Sequence, residues 1–204
     1  MMVRHGETTW GVARRYAGQV DVPLTEKGQR QSRQVARRLA PLKPDVVISS
    51  PLDRCRWTAE AIAATASPRR GPLCEVEIDD RLTDQALGDW TGKSEAEISA
   101  HWPAAFAAWR TDPDAAAPGG EALADLRARA EKAVTEVIAA HHGKSIVVVS
   151  HAALIRALLS WALGTTVDVA YRLRVDNASV SGLLVGATGE INVWTINETG
   201  HLLG

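Results

Sequence analysis

Three apolar runs in this chain each end on residues able to bind or attack an anion. Met1-Met2-Val3 is followed by Arg4 and His5, and Val46-Val47-Ile48 by Ser49, Ser50 and, a turn into the next helix, Arg54. Ile146-Val147-Val148-Val149 is followed by Ser150 and His151. In parallel α/β sheets ligands bind beyond the carboxyl ends of the strands, so Arg4, His5, Arg54 and His151 can converge on one pocket although they lie far apart in sequence. Two guanidiniums offer forked donors that match phosphate oxygens. A neutral imidazole can attack phosphorus, and a second can donate to the oxygens as charge redistributes. Nothing in this set requires a metal. A lone histidine after a strand is more often structural than catalytic, and a lone arginine near a helix start is usually a surface charge. Four such residues at three strand ends are harder to ascribe to coincidence, and an anion site with a nucleophile fits phosphoryl transfer best.

The elements that must position these residues alternate between short β-rich runs and longer helical stretches, the pattern of a parallel sheet with helices on its faces. The first strand is short, Met1 to Val3. Thr25 N-caps a helix from about Glu26 to Leu39, closed by Pro41 and Pro44. A strand at 45–49 meets Ser50-Pro51, serine as N-cap and proline at the first helical position, and the helix should run to about Ala66, its N-terminus favouring an anion at the same edge. Pro68, Gly71 and Pro72 make a loop, and Cys74 to Ile78 a further strand. The stretch from Arg81 to Gly92 has little periodicity. Ser94 and Glu97 form a capping box for a helix carrying Ile98 and Trp102, with Phe106 and Trp109 continuing its apolar face beyond Pro103. After Pro118-Gly119-Gly120 the longest helix runs from about Glu121 to His142, then a strand over 145–150 and a helix over 152–163 ended by Gly164. Strands near 172–175, 180–185 and 191–196 close the chain, with Thr188-Gly189 turning between the last two.

At 204 residues the chain can bury one sizeable core, or at most two small domains. Its net charge of -1, with 46% hydrophobic and 23% charged residues, offers no basic field to draw in nucleic acid. No apolar run approaches the ~20 residues of a membrane span, and no secretory h-region follows Met1; a soluble, cytoplasmic protein is expected. Cys55 and Cys74 have no metal or redox spacing and read as two thiols.

Arg4-His5-Gly6-Glu7-Thr8 resembles the signature of the histidine phosphatase superfamily, also called phosphoglycerate mutase-like. The likeness continues through Asp21-Val22-Pro23-Leu24-Thr25 with Gly28 and Gln31, then Ser49-Ser50-Pro51-Leu52 with Arg54, Thr58, Ala59 and Glu60. Leu87-Gly88-Asp89-Trp90, Pro118-Gly119-Gly120-Glu121, Ser150-His151, Asn177-Ala178-Ser179 and Asn197-Glu198-Thr199-Gly200-His201-Leu202 complete the series in order. The resemblance implies a three-layer α/β sandwich: a mostly parallel sheet, helices on both faces, and a small helical cap at about 85–120 within a single domain over 1–204. It is similar to the branch that includes alpha-ribazole phosphatase and broad-specificity phosphatases. It implies a phosphohistidine on His5, a phosphoryl clamp of Arg4, Arg54 and His151, and an acid that protonates the leaving oxygen. Neither cofactor nor metal is implied; the expected partner is a small phosphorylated metabolite. Homodimers are common among relatives, though no sequence feature here establishes one.

The chain departs from the family where a glutamate is usual: it has Leu82-Thr83-Asp84. Aspartate is shorter by roughly 1–1.5 Å of reach, and a misplacement of that size can cost ~100-fold in rate. Asp84 serving after a backbone adjustment, Glu7 or another carboxylate substituting, and a slow enzyme are the three readings of this departure. Gly11 and Ala122 stand where asparagine and serine are common, and the opening strand is shorter than usual. Arg14 and Arg15 follow the motif beside the expected pocket mouth and either read a second negative charge on the substrate or are surface arginines; Glu7 joins them as a candidate substrate contact.

A phosphatase is the first expectation. A phosphoglycerate mutase is the second; the resemblance disfavours it, because the family's mutases carry a longer insertion after the middle block, whereas only about thirty residues separate Trp90 from Ala122 here. A non-catalytic phosphate-binding regulator is the third. The end of a P-loop is mimicked at Gly92-Lys93-Ser94 and Gly143-Lys144-Ser145, without the preceding glycine that loop needs. His141-His142 reads as a solvated helix end, and Trp57, Trp102, Trp109 and Trp161 as core.

Overall fold

The computed structural model describes residues 1–66 and 74–203; the loop expected around Pro68, Gly71 and Pro72 lies outside them. Its strands are β1 (Met2–Arg4), β2 (Val46–Ser49), β3 (Val76–Ile78), β4 (Ile146–Ser150), β5 (Val180–Val185) and β6 (Ile191–Glu198). Its helices are α1 (Thr9–Val12), α2 (Glu26–Leu39), α3 (Asp53–Ala66), α4 (Glu95–His101), α5 (Pro103–Trp109), α6 (Leu123–Ala140) and α7 (Ala152–Ala162).

The strands form one sheet in the order β3-β2-β4-β1-β5-β6. The first four in that order run parallel, and β5 and β6 are antiparallel additions. Because side chains alternate across a strand, successive residues serve opposite faces. Met2, Val46, Ile48 and Val148 pack against α6 and α7. Val3, Val47, Val147 and Val149 pack against α2 and α3. The result is three layers, with the unbroken apolar runs of β2 and β4 explained by burial on both sides. A third apolar cluster joins Leu87, Trp90, Ile98, Phe106 and Ala117, with Tyr16, Trp102 and Trp109 against it. No helix among the described residues is long and apolar enough to cross a membrane.

Several local expectations are corrected. Residues 172–175 are not a strand: Val167–Arg172 forms a 3-10 helix, and Leu173 N–H still bonds back to Ala170. Both edges of β5 are already taken, by β1 and β6, so the segment cannot pair there, and its backbone bonds locally in the 3-10 turn instead. The helix after Ser50 starts at Asp53, two residues late, because the serine hydroxyl sits 2.8 Å from His151 Nε2 and only 3.4 Å from Leu52 N–H. The helix through Trp102 is broken into α4 and α5: Pro103 lacks an N–H and disfavours helical backbone at the residue before it, and Trp102 takes φ -133, ψ 53. The longest helix begins at Leu123 rather than Glu121, with Ala122 giving no side-chain cap. The four-residue α1, capped by the Thr8 hydroxyl, was not anticipated. Trp57 is half-buried, with Arg33 over its ring at 5.5 Å, rather than part of a core cluster.

Candidate active site

The sheet order settles how the strand ends meet. β4 lies between β2 and β1, with Arg4 in register with Ser150 and Ser49 with Val149. The residues just past these strands therefore share one edge.

His5 is buried there, and Nδ1 lies 2.7 Å from the Gly6 carbonyl. A carbonyl oxygen only accepts, so Nδ1 carries the proton and Nε2 keeps its lone pair. Burial, then Arg4 and Arg54, hold this imidazole well below its usual pKa and thus neutral. Nε2 has no hydrogen bond among the described residues. The loop carrying His5 is fixed from both sides. Gly6 packs so tightly on α2 that a Cβ would meet the Gly28 carbonyl at 2.3 Å. Asn177 Nδ2 donates to the carbonyls of His5 and Gly6, each at 3.2 Å.

His151, fully buried, stands edge-on to His5 with ring centroids 5.2 Å apart. Its Nε2 is 2.8 Å from Ser50 Oγ and 3.4 Å from Cys55 Sγ, and its Nδ1 is 3.6 Å from Asp84 Oδ2. Burial, Arg54, His5 and Arg4 hold it neutral as well.

The two arginines are aimed by backbone carbonyls. Arg4 Nη1 donates to Val175 at 2.8 Å, while its buried Nε has no partner among the described residues. Arg54 Nη1 donates to Val20 at 2.8 Å and Nη2 to Gly18 at 2.7 Å. The Arg54 guanidinium also lies 3.5 Å from Asp84 Oδ2. Anchored guanidiniums with donors left over make a pre-organised anion cradle at little further entropic cost.

Asp84 is held at this edge by its backbone. Its carbonyl accepts from Gln19 Nε2 and Arg129 Nη2, both at 3.0 Å, and Ser150 Oγ donates to Leu82 at 2.7 Å. The carboxylate takes Gln85 N–H at 3.0 Å. Burial raises its pKa, against the opposing pull of Arg54.

The remaining candidates are placed otherwise. Glu7 is engaged by Thr25 Oγ1 at 3.0 Å and Lys27 Nζ at 2.9 Å. Arg15 donates to the Gly92 carbonyl at 2.6 Å and pairs with Glu97 at 3.1 Å, where Ser94 and Glu97 form the expected capping box. Arg14 is exposed, in left-handed backbone (φ 53), and its side chain makes no hydrogen bond or ion pair among the described residues. Sequence reasoning missed Arg156, whose charge is felt at Asp84 and Arg4. The available signal was a lone arginine in the otherwise apolar Ala152-Ala153-Leu154-Ile155-Arg156-Ala157-Leu158-Leu159. Among the described residues no group of three or more His, Cys, Asp or Glu is placed to hold a metal.

Fold and site together define an α/β protein that gathers two arginines, two neutral histidines and a carboxylic acid at the carboxyl edge of a mostly parallel sheet. The model of the histidine phosphatase superfamily (branch 1) matches residues 1–198, and the chain belongs to that family. It is 34% identical over 203 residues to Bifunctional protein Rv2228c of Mycobacterium tuberculosis, covering 99% of this chain but only 54% of that protein. It is 32% identical to Phosphoserine phosphatase 1 of Hydrogenobacter thermophilus, covering 99% of this chain and 93% of the relative. "Probable phosphoglycerate mutase GpmB" of Proteus mirabilis is 35% identical over 98% and 92%. Among solved structures, mycobacterial glucosyl-3-phosphoglycerate phosphatase Rv2419c with VO3 matches at TM-score 0.88 and 31% identity, covering 97% of this chain and 98% of that one.

Proposed function

We propose that this chain is a metal-independent phosphatase for small phosphomonoesters, with His5 as nucleophile. The observation that carries the reading is the Nδ1 contact to the Gly6 carbonyl at 2.7 Å: it fixes the tautomer in which Nε2 is free, in a site where burial, and then Arg4 and Arg54, keep the ring neutral and the same arginines can hold an anion.

In this reading His5 Nε2 attacks phosphorus while Arg4, Arg54 and His151 hold the non-bridging oxygens. The bond to the ester oxygen breaks, and Asp84 gives that oxygen a proton, so the alcohol leaves neutral. The ionised Asp84 then takes a proton from water, the oxygen attacks the phosphohistidine, and Nε2 departs with its lone pair restored. Asp84 suits the acid role because it is the carboxylate touching both Arg54 and His151, and burial favours its protonated form. Relatives named as phosphatases over nearly their whole length support hydrolysis. The mutase-named relative supports a second reading, phosphoryl exchange between phosphoglycerates.

The test is phosphate release from p-nitrophenyl phosphate in EDTA, wild type beside His5→Ala. Chelator-resistant turnover that falls at least about 10³-fold in the variant is expected. Equal turnover by His5→Ala removes His5 from the mechanism. Interconversion of 2- and 3-phosphoglycerate faster than phosphate release would favour the mutase.

A further inference from the structure

Asp84, the acid of the proposed reaction, sits on an irregular segment between the 3-10 turns of Asp80–Leu82 and Gly88–Trp90. Neither a helix nor a sheet ladder sets its backbone. An aspartate side chain is also short, one methylene less than glutamate, so it cannot reach after a displaced main chain. Whatever holds the backbone around Asp84 therefore decides where the proton is delivered.

Arg129, on α6, is the side chain that reaches that backbone from across the fold. Its Nη1 donates to the Arg81 carbonyl at 2.6 Å and its Nη2 to the Asp84 carbonyl at 3.0 Å. Nε and Nη2 also hold the Glu121 carboxylate, at 2.6 and 2.9 Å, the forked geometry in which an arginine meets a carboxylate best. Glu121 secures the other end of the same segment. Its N–H donates to the Ala86 carbonyl at 2.8 Å, and its own carbonyl accepts Gln85 Nε2 at 2.9 Å. The pair thus brackets the acid on both sides along the chain.

The clamp is built where it can hold. Its two side chains are only 23% and 17% exposed, so solvent screens the ion pair much less than at an open surface. The other donor to the Asp84 carbonyl, Gln19 Nε2, is a neutral amide at an exposed position, where water can replace it. The charges that act most on Asp84 are those of Arg54, Arg4 and Arg156. Arg129, balanced by Glu121, acts on the acid through its backbone.

We propose that Arg129, locked by Glu121, is a positioning residue for the general acid: it fixes the backbone of Asp84 so that a short carboxylic acid meets the departing ester oxygen. This rests on the phosphatase reading above, with Asp84 as its acid.

The leaving group and a mutant cycle together test it. Arg129→Met keeps the apolar stem and removes the fork. Its kcat/KM should fall about 100-fold on glycerol 3-phosphate, whose alkoxide needs the proton, and no more than about tenfold on p-nitrophenyl phosphate. Glu121→Gln keeps the shape and one acceptor oxygen, and should show the same pattern at about tenfold on the alkyl ester. Added to Asp84→Asn, Arg129→Met should cost less than about threefold more on either ester, because there is no longer a proton to position. Hydrogen exchange of the amides at 82–87, followed in wild type and in His5→Ala, should quicken about tenfold or more with Arg129→Met while β4 stays protected. Equal losses on the two esters in Arg129→Met, an undiminished loss in the Asp84→Asn background, or unchanged exchange at 82–87 overturns the proposal. Turnover that survives in His5→Ala, or equal losses on both esters in Asp84→Asn alone, overturns instead the reading on which it rests, and the exchange measurement still decides whether Arg129 holds the segment.

Discussion

Replacing Asp84 with asparagine removes an acidic proton while keeping side-chain size. The amide oxygen can still accept the Gln85 N–H that Asp84 takes at 3.0 Å, so the loop should hold its place. What is lost is the proton donor beside Arg54 and His151, at 3.5 and 3.6 Å. General acid catalysis is worth ~10²–10⁴-fold, or about 3–5 kcal/mol of barrier. The loss must track the leaving group. An alkyl phosphate needs a proton on its departing oxygen and should lose the full factor in kcat/KM. The p-nitrophenyl ester leaves as a stabilised anion and should lose no more than about tenfold.

The pH dependence has a definite sign. Burial raises the Asp84 pKa above its ordinary value, whereas His5 is held well below the usual imidazole value. Wild type needs Asp84 protonated, so its advantage over Asp84→Asn is greatest below the Asp84 pKa. Above it, that advantage shrinks about tenfold per pH unit until the two enzymes converge. The ratio of the two kcat/KM values at each pH cancels ionisation of the substrate itself. The assay is initial-rate phosphate release from both esters across the acid-to-neutral range. Equal losses on the two esters, or a ratio independent of pH, would refute Asp84 as the acid.

Gly6→Ala forces a Cβ to within 2.3 Å of the Gly28 carbonyl; overpacking costs about 1–3 kcal/mol, so Tm should fall by roughly 2–12 °C in a thermal melt. Asn177→Ala removes the two hydrogen bonds from Nδ2 to the His5 and Gly6 carbonyls, and kcat/KM on p-nitrophenyl phosphate should drop ~10-fold or more as the nucleophile drifts, with a circular dichroism spectrum like wild type. Cys55 is buried against His151 and its thiol pKa is pushed up; native protein treated with Ellman's reagent should leave Cys55 unlabelled until guanidinium unfolds it, and rapid labelling of native Cys55 would contradict the packing.

How much could be read in advance depended on the range of the interaction. The runs Val46-Val47-Ile48 and Ile146-Val147-Val148-Val149 declare strands buried on both faces, since a half-exposed strand would alternate. Thr25, and Ser94 with Glu97, mark helix starts through hydrogen bonds to backbone only three residues away. Where a local signal competed with a distant partner, the partner won: Ser50 was read as a helix cap, yet its hydroxyl faces a histidine 101 residues on. The alternation at 172–175 reads as a strand, but both sides of β5 are taken by β1 and β6 and the start of the segment winds into a 3-10 turn whose last bond reaches Leu173 N–H.

The sequence by itself determined the alternating α/β pattern, the strand-end positions of Arg4, His5, Arg54 and His151, and the family, because these rest on residue type, order and short-range periodicity. Only the tertiary structure decided that β4 lies between β1 and β2, which brings the strand ends together. It also decided which nitrogen of His5 holds the proton, that Glu7 and Arg15 are tied to neighbours, and that Arg129 reaches the carbonyls of Arg81 and Asp84. Each depends on contacts between segments distant in sequence, and on burial that moves pKa values. A string of residues carries neither the distance nor the dielectric.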